Sequence, residues 1–148
     1  MKKILIIDDD PVVATVYQQM LEREGFATEV AVNGAQGLDR ALSFEPDAVL
    51  LDLLMPTLNG FIVMKTMHTA FCGLPVIVVT SACTPEFQEK ALAAGASYVL
   101  DKSKATASEI ISLLHLAMDG VPSNRMAAFE QNEIGSRLSD EPSLPGSR

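Results

Sequence analysis

Three uninterrupted apolar runs mark the chain: Ile4-Leu5-Ile6-Ile7, Ala48-Val49-Leu50-Leu51 and Val76-Ile77-Val78-Val79. A strand with one wet face alternates apolar and polar residues. A strand covered on both faces reads as a continuous run rich in Val, Ile and Leu. These three runs therefore predict interior strands of a parallel sheet. Each stops at a polar residue: Asp8, Asp52 and Thr80. Weaker strands are predicted near Ala27–Val32 and Ser97–Leu100.

Helical patterns fill the intervals. Asp10-Pro11 reads as an N-cap followed by proline at the first helical position. Val12, Val13, Val16, Tyr17, Met20 and Leu21 recur at helical spacing, and Gly25 closes the segment. A second helix, Ala35–Ser43, follows the Asn33-Gly34 turn, and a third is expected over Gly60–Thr69. Thr84-Pro85 opens a fourth that ends near Gly95, and the fifth spans Ala107–Met118 before Asp119-Gly120. Strands alternating with helices imply right-handed crossovers and a parallel α/β sandwich, here a five-stranded sheet flanked by five helices. In such folds functional groups collect beyond the carboxyl ends of the strands. The pattern puts Asp8, Asp52 and Thr80 there, so Asp52 closes its strand instead of lying buried in mid-strand.

Beyond Gly120 the character changes. Residues 121–148 contain three Pro and two Gly with several Ser and no strong apolar stripe. They are expected to form a C-terminal tail or linker, with one loose helix at 126–138 and disorder over Ser139–Arg148. Residues 1–120 make the folded domain. A length of 148 residues, 48% hydrophobic and 20% charged, suits one globular domain. The net charge of −8 lacks a basic patch and argues against direct nucleic-acid binding. Met1-Lys2-Lys3 precedes only four apolar residues, too few for a signal-peptide core or a membrane span. Cys72 and Cys83 lack metal-ligand spacing and read as reduced thiols of a cytoplasmic protein. His68 and His115 read as surface or packing residues, and Met64 and Met67 as helix packing.

The strand ends carry the chemistry. Carboxylates from Asp8, Asp9 and Asp52 meeting at one edge repel each other and raise each other's pKa unless a cation intervenes. Mg²⁺ suits this setting, since it needs one or two carboxylates plus water. Asp10 is accounted for as the helix cap. Taken singly, Asp8 and Asp9 could be solvated loop acids, Thr80 a β-branched strand residue and Lys102 a surface lysine. Together they set carboxylates, a hydroxyl and an ammonium on four strand ends, a set able to hold a phosphoryl group.

With these residues in place, the chain resembles a receiver domain of the two-component response-regulator family. The motifs are I-L-I-I-D-D-D-P at 4–11, L-L-D-L-L-M-P-T-L-N-G at 50–60, V-I-V-V-T-S-A at 76–82 and G-A-S-Y-V-L-D-K at 95–102. The match covers residues 1–120 and keeps the family's spacing from Asp9 to Asp52, to Thr80 and to Lys102. The resemblance implies a flavodoxin-like (βα)5 architecture. It implies a phosphorylation-dependent switch with no diffusible substrate of its own. Asp52 would take a phosphoryl group from a histidine kinase, a phosphotransfer protein or a small phosphodonor. Asp9, Asp52 and the backbone carbonyl of Leu54 would bind Mg²⁺, with Asp8 acting through water or as a weaker ligand. Thr80 would hydrogen-bond the phosphoryl oxygens, and Lys102 would pair with Asp52 first and the phosphoryl group afterwards. Met55-Pro56 and Gly60 would shape the loop after Asp52. The surface of the fourth helix, fifth strand and fifth helix would change on phosphorylation. An effector protein, an output domain outside this chain, or a second copy forming a homodimer would read that change.

Three departures stand out. Receivers usually carry proline after the lysine, often in a cis peptide, whereas here it is Ser103. A cis bond to a non-proline residue costs about 3–4 kcal/mol, so the loop is expected to be trans and differently shaped. The family's switch aromatic falls at Val99, and Tyr98 points to the opposite face. Either the fifth strand carries a bulge, or signalling relies on backbone and helix shifts. Leu54 is apolar where a polar side chain helps to position a hydrolytic water, so slow self-dephosphorylation is expected. Two other classes stay open: an aspartate-nucleophile phosphatase, which would need D-x-D where this chain has D-L-L-M-P, and a receiver-like scaffold that is never phosphorylated.

Overall fold

In a computed structural model, residues 1–53 and 60–119 are described. The elements in chain order are β1 (Lys3–Ile7), α1 (Pro11–Arg23), β2 (Ala27–Ala31), α2 (Gly34–Phe44), β3 (Ala48–Leu51), α3 (Gly60–Ala70), β4 (Val76–Thr80), α4 (Pro85–Ala93), β5 (Tyr98–Asp101) and α5 (Ala107–Met118). The expectations for the Leu54 carbonyl, for Met55-Pro56 and for the 121–148 tail fall outside the described residues.

The strands form one five-stranded sheet in the order β2-β1-β3-β4-β5, and every neighbouring pair is parallel. The continuous apolar runs are explained by burial on both faces. Leu5 and Ile7 of β1 join a core with Val49, Leu51 and Val78, covered by Ala41 of α2, Val63, Met64 and Met67 of α3, and Ala91 of α4. Ile4 and Ile6 point the other way, into a core with Leu50, Ile77 and Val79 under Ala14 and Leu21 of α1 and Ile110 and Leu114 of α5. Full burial of one such Leu or Ile contributes about 1.5–3 kcal/mol. The chain steps from β1 to β2 on one side and then to β3 on the other. This reversal of strand order is where open α/β sheets hold their ligands.

The helix starts follow their caps. The Asp10 carboxylate accepts from the Val12 and Val13 N–H groups at 3.0 and 3.4 Å. Asn33, Thr84 and Thr106 cap α2, α4 and α5, the last in a reciprocal capping box with Glu109. Each such cap is worth about 1 kcal/mol. Two strand ends differ by one residue from the sequence reading. β2 stops at Ala31 because the Val32 N–H donates to Gln36 Oε1 at 2.8 Å. β5 continues to Asp101, which pairs with Thr80, and the Lys102 N–H still reaches the Thr80 carbonyl at 2.9 Å.

β5 pairs with β4 in unbroken register, Ile77 with Tyr98 through Thr80 with Asp101, so the bulge considered from sequence is not there. Tyr98 packs in the α1/α5 core and Val99 against the α2/α3/α4 core. Burial pushes the Tyr98 phenol up to about 12. Its hydroxyl is the buried side-chain polar atom without a hydrogen-bond partner among the described residues. Phe26 stacks on His115 with ring centroids 5.4 Å apart, a packing role for that histidine. Both cysteines are free, and no described helix is long and apolar enough to cross a membrane.

Candidate functional site

Two aspartates stand one residue past their strands and are still held by the sheet ladder. The Asp8 N–H donates to the Ala31 carbonyl and the Asp52 N–H to the Ile7 carbonyl, each at 3.0 Å. Their Cα positions thus inherit the rigidity of three adjacent strands. Thr80 is the last residue of β4 and fully buried. Its Oγ1 accepts from the Ala82 N–H at 3.1 Å, which ties the hydroxyl to its own turn. Lys102 directly follows β5.

The side chains converge. Lys102 Nζ lies 3.0 Å from Asp52 Oδ2 and 3.5 Å from Asp8 Oδ2. One carboxylate oxygen from each of Asp8, Asp9 and Asp52 falls within 4.8 Å of the others. Asp8 and Asp52 are 2% and 9% exposed, whereas Asp9 is open to solvent. Asp10 takes no part in this trio: its carboxylate caps α1, while its N–H donates to Asp8 Oδ1 at 3.0 Å. Among the described residues, three acids face one ammonium and leave a net negative pocket at a protein edge.

The electrostatics reflect that excess. Burial raises the Asp8 carboxyl, and the Asp52 charge adds to the rise. The Asp10 N–H and Lys102 offset only part of it. Burial opposes the Lys102 ammonium, but its hydrogen bond to Asp52 and the charges of Asp52 and Asp8 outweigh this and raise its pKa. Tyr17, half-buried on α1, was read from sequence only as part of an apolar stripe. Burial raises its phenol, which also feels Lys102, Asp8 and Asp52. It is the one hydroxyl-bearing residue in that stripe, the signal that would have singled it out.

Because the folded state raises the Asp8 pKa above its ordinary value of 3.8, it keeps a proton that the unfolded chain has already released. The contribution of this residue to stability is therefore full at low pH and falls as pH rises through the folded pKa. Above its folded pKa the ionised Asp8 works against folding. Asp8→Asn keeps an acceptor for the Asp10 N–H, so in metal-free buffer it should melt at a higher temperature than wild type at neutral pH. The gap should close at about pH 3, where both side chains are neutral. Paired thermal melts at the two pH values check this. A wild type as stable as the variant at neutral pH would contradict it.

A profile of the response regulator receiver domain matches residues 4–115. The probable transcriptional regulatory protein SilR of Salmonella typhimurium is 35% identical over 105 residues, 71% of this chain and 46% of SilR. The DNA-binding response regulator MtrA of Mycolicibacterium smegmatis is 39% identical over 80 residues, 54% of this chain and 35% of MtrA. The chain thus spans under half the length of these curated relatives. Among solved structures, a CheY-like response regulator receiver domain protein from Methanospirillum hungatei JF-1 superposes with a TM-score of 0.76 at 27% identity, covering 80% of this chain and 94% of that one. The BeF3-activated N-terminal receiver domain of Klebsiella pneumoniae RstA gives 0.75 at 25% identity, covering 79% and 98%. The doubly wound sheet, the acidic cluster at its reversal point and a match over most of the folded residues lead to one conclusion: the chain belongs to the receiver-domain family of two-component response regulators.

Proposed function

We propose that this receiver is a cytoplasmic phosphorylation switch in which Asp52 accepts a phosphoryl group from a histidine kinase or phosphotransfer protein. The observation that carries the reading is the Lys102 ammonium at 3.0 Å from Asp52 Oδ2, on a carboxylate flanked by Asp8 and Asp9. An Asp52 oxygen attacks phosphorus in line. The new P–O bond forms as the P–N bond of a phosphohistidine, or the P–O bond of an acyl phosphate, breaks, and the donor leaves with the electron pair. Lys102 stays beside the phosphorylated side chain and neutralises charge gathered on the phosphoryl oxygens. Thr80 Oγ1 gives up the Ala82 N–H and turns to those oxygens, drawing the β4–α4 connection with it.

The donor set fits Mg²⁺: every ligand is a hard oxygen, and among the described residues the three carboxylates exceed the one ammonium beside them. Asp9 and Asp52 would hold the ion, Asp8 would act through water or as a weaker ligand, and the Leu54 carbonyl would complete the set. When bound, Mg²⁺ supplies positive charge against the phosphoryl oxygens and relieves the repulsion among the acids.

An effector protein, an output domain outside these residues, or a second copy of the chain reads the phosphorylated form. Val99 stands where the family carries an aromatic switch, so the signal passes through backbone and helix shifts at α4, β5 and α5. The net charge of −8 favours a protein reader over direct contact with nucleic acid. Incubation with acetyl phosphate and Mg²⁺ should add the mass of one phosphoryl group, and chelation of the metal should abolish the gain. No gain with metal present, or steady turnover of a generic phosphate ester as a phosphatase would give, counts against the proposal. Because Leu54 offers no polar group to a hydrolytic water, the phosphorylated form should last minutes or longer with Mg²⁺ present. Decay within seconds, followed by intact mass, would refute that expectation.

A further inference from the structure

Asp101 organises the turn that carries Lys102. Its Oδ1 accepts the Ser103 N–H at 3.0 Å and the Ser103 hydroxyl at 2.7 Å. Its backbone carbonyl accepts the N–H groups of Lys104 at 3.0 Å and Ala105 at 2.8 Å. One residue thus takes four hydrogen bonds from the segment that leads into α5. Behind it, the Lys102 N–H is pinned to the Thr80 carbonyl at 2.9 Å. The lysine backbone is therefore tied to β4 on one side and to a closed turn on the other.

Ser103 and Lys104 are exposed. Water could satisfy the Ser103 groups, so burial does not demand these bonds. What they add is a fixed direction for the chain as it leaves Lys102. A proline after the lysine would set that direction covalently, through its locked φ, and would lack the N–H used here. Ser103 has no such lock but sends two donors to a single carboxylate oxygen. Those two bonds hold the Asp101 carboxyl below its usual range, as expected of an acceptor engaged in its ionised form.

We propose that Asp101 and Ser103 form a clasp that positions Lys102 against Asp52 and Asp8, achieving with hydrogen bonds what a proline ring does in receivers that carry one. Neither residue touches the reacting atoms, so both are positioning residues. The proposal rests on the reading of Asp52 as phosphoacceptor. A lysine side chain is long and flexible and samples many rotamers. Fixing its backbone narrows the positions that the ammonium samples.

The test compares labelling rates by acetyl phosphate and Mg²⁺, followed by intact mass, with melting curves on the same proteins. Asp101→Ala should label roughly tenfold more slowly, since small misplacements of a catalytic group carry penalties of that order or larger. It should remain folded at the assay temperature. Asp101→Asn keeps an Oδ1 acceptor and should recover most of the rate, and Ser103→Ala, which loses only the hydroxyl bond, should fall between. In a Lys102→Ala background, Asp101→Ala should have no further effect, because the clasp acts only through that lysine. Wild-type rates in Asp101→Ala, no recovery in Asp101→Asn, or an equal slowing with and without Lys102 would each overturn the clasp while leaving the reading of Asp52 intact. A wild type that gains no mass overturns that reading and the clasp's role with it.

Discussion

Asp52→Asn should leave the intact mass unchanged after incubation with acetyl phosphate and Mg²⁺, while wild type gains one phosphoryl group. The amide nitrogen and carbonyl of asparagine fill the same space, so packing next to Leu53 and Leu51 is preserved. What is lost is an anionic oxygen able to attack phosphorus. The neighbouring acids do not replace it. Asp8 is more deeply buried and has one oxygen taken by the Asp10 N–H, and Asp9 sits out in solvent. Lys102 keeps its contact with Asp8 at 3.5 Å, so the variant should fold. Labelling of the folded variant at the wild-type rate would place the phosphoacceptor elsewhere and remove the basis of the proposed function.

Gly60→Ala should lower stability by about 1–3 kcal/mol, the range for forcing extra volume into a packed site. A Cβ at residue 60 would lie 2.6 Å from Leu53 Cα, 2.7 Å from its Cδ2 and 2.8 Å from its carbonyl oxygen. Alanine's better helix propensity, about 1 kcal/mol in a helix interior, counts for less here because Gly60 is the first residue of α3. The clash is with main chain, so side-chain rotation cannot relieve it. Gly37→Ala is the informative contrast: the three atoms nearest its added methyl all belong to the side chain of Ile7, the closest being Cδ1, 2.6 Å away. That flexible end can turn, and the cost should be smaller. Denaturant unfolding of the two variants measures the difference, and equal midpoints would contradict it. Because Leu53 is bonded to Asp52, a displaced main chain in Gly60→Ala should also slow labelling.

Much of the fold was legible because each strand is covered on both faces. That burial demands the continuous runs at 4–7, 48–51 and 76–79, and the caps at Asp10 and Thr84 announce two of the helices between them. The acids were legible for a related reason: an ionisable residue directly after an apolar run has to sit where the strand leaves the core. Local chemistry carries that information, so no tertiary structure is needed to read it. The sequence also marked Ser103 and Val99 as departures without saying what takes their place. Tertiary structure decided those points. It showed β5 running in register to Asp101, so Val99 and Tyr98 face opposite cores with no bulge to exchange them. It brought Tyr17 of α1 towards Lys102 from across the α1/α5 layer. It turned Asp101, which the sequence left without a role, into the acceptor that closes the turn after the lysine. Such relations depend on distances of a few ångströms between segments far apart in the chain, or on the torsions of a single turn. Apolar periodicity records which face a residue buries, and it holds no record of which oxygen a particular N–H will find.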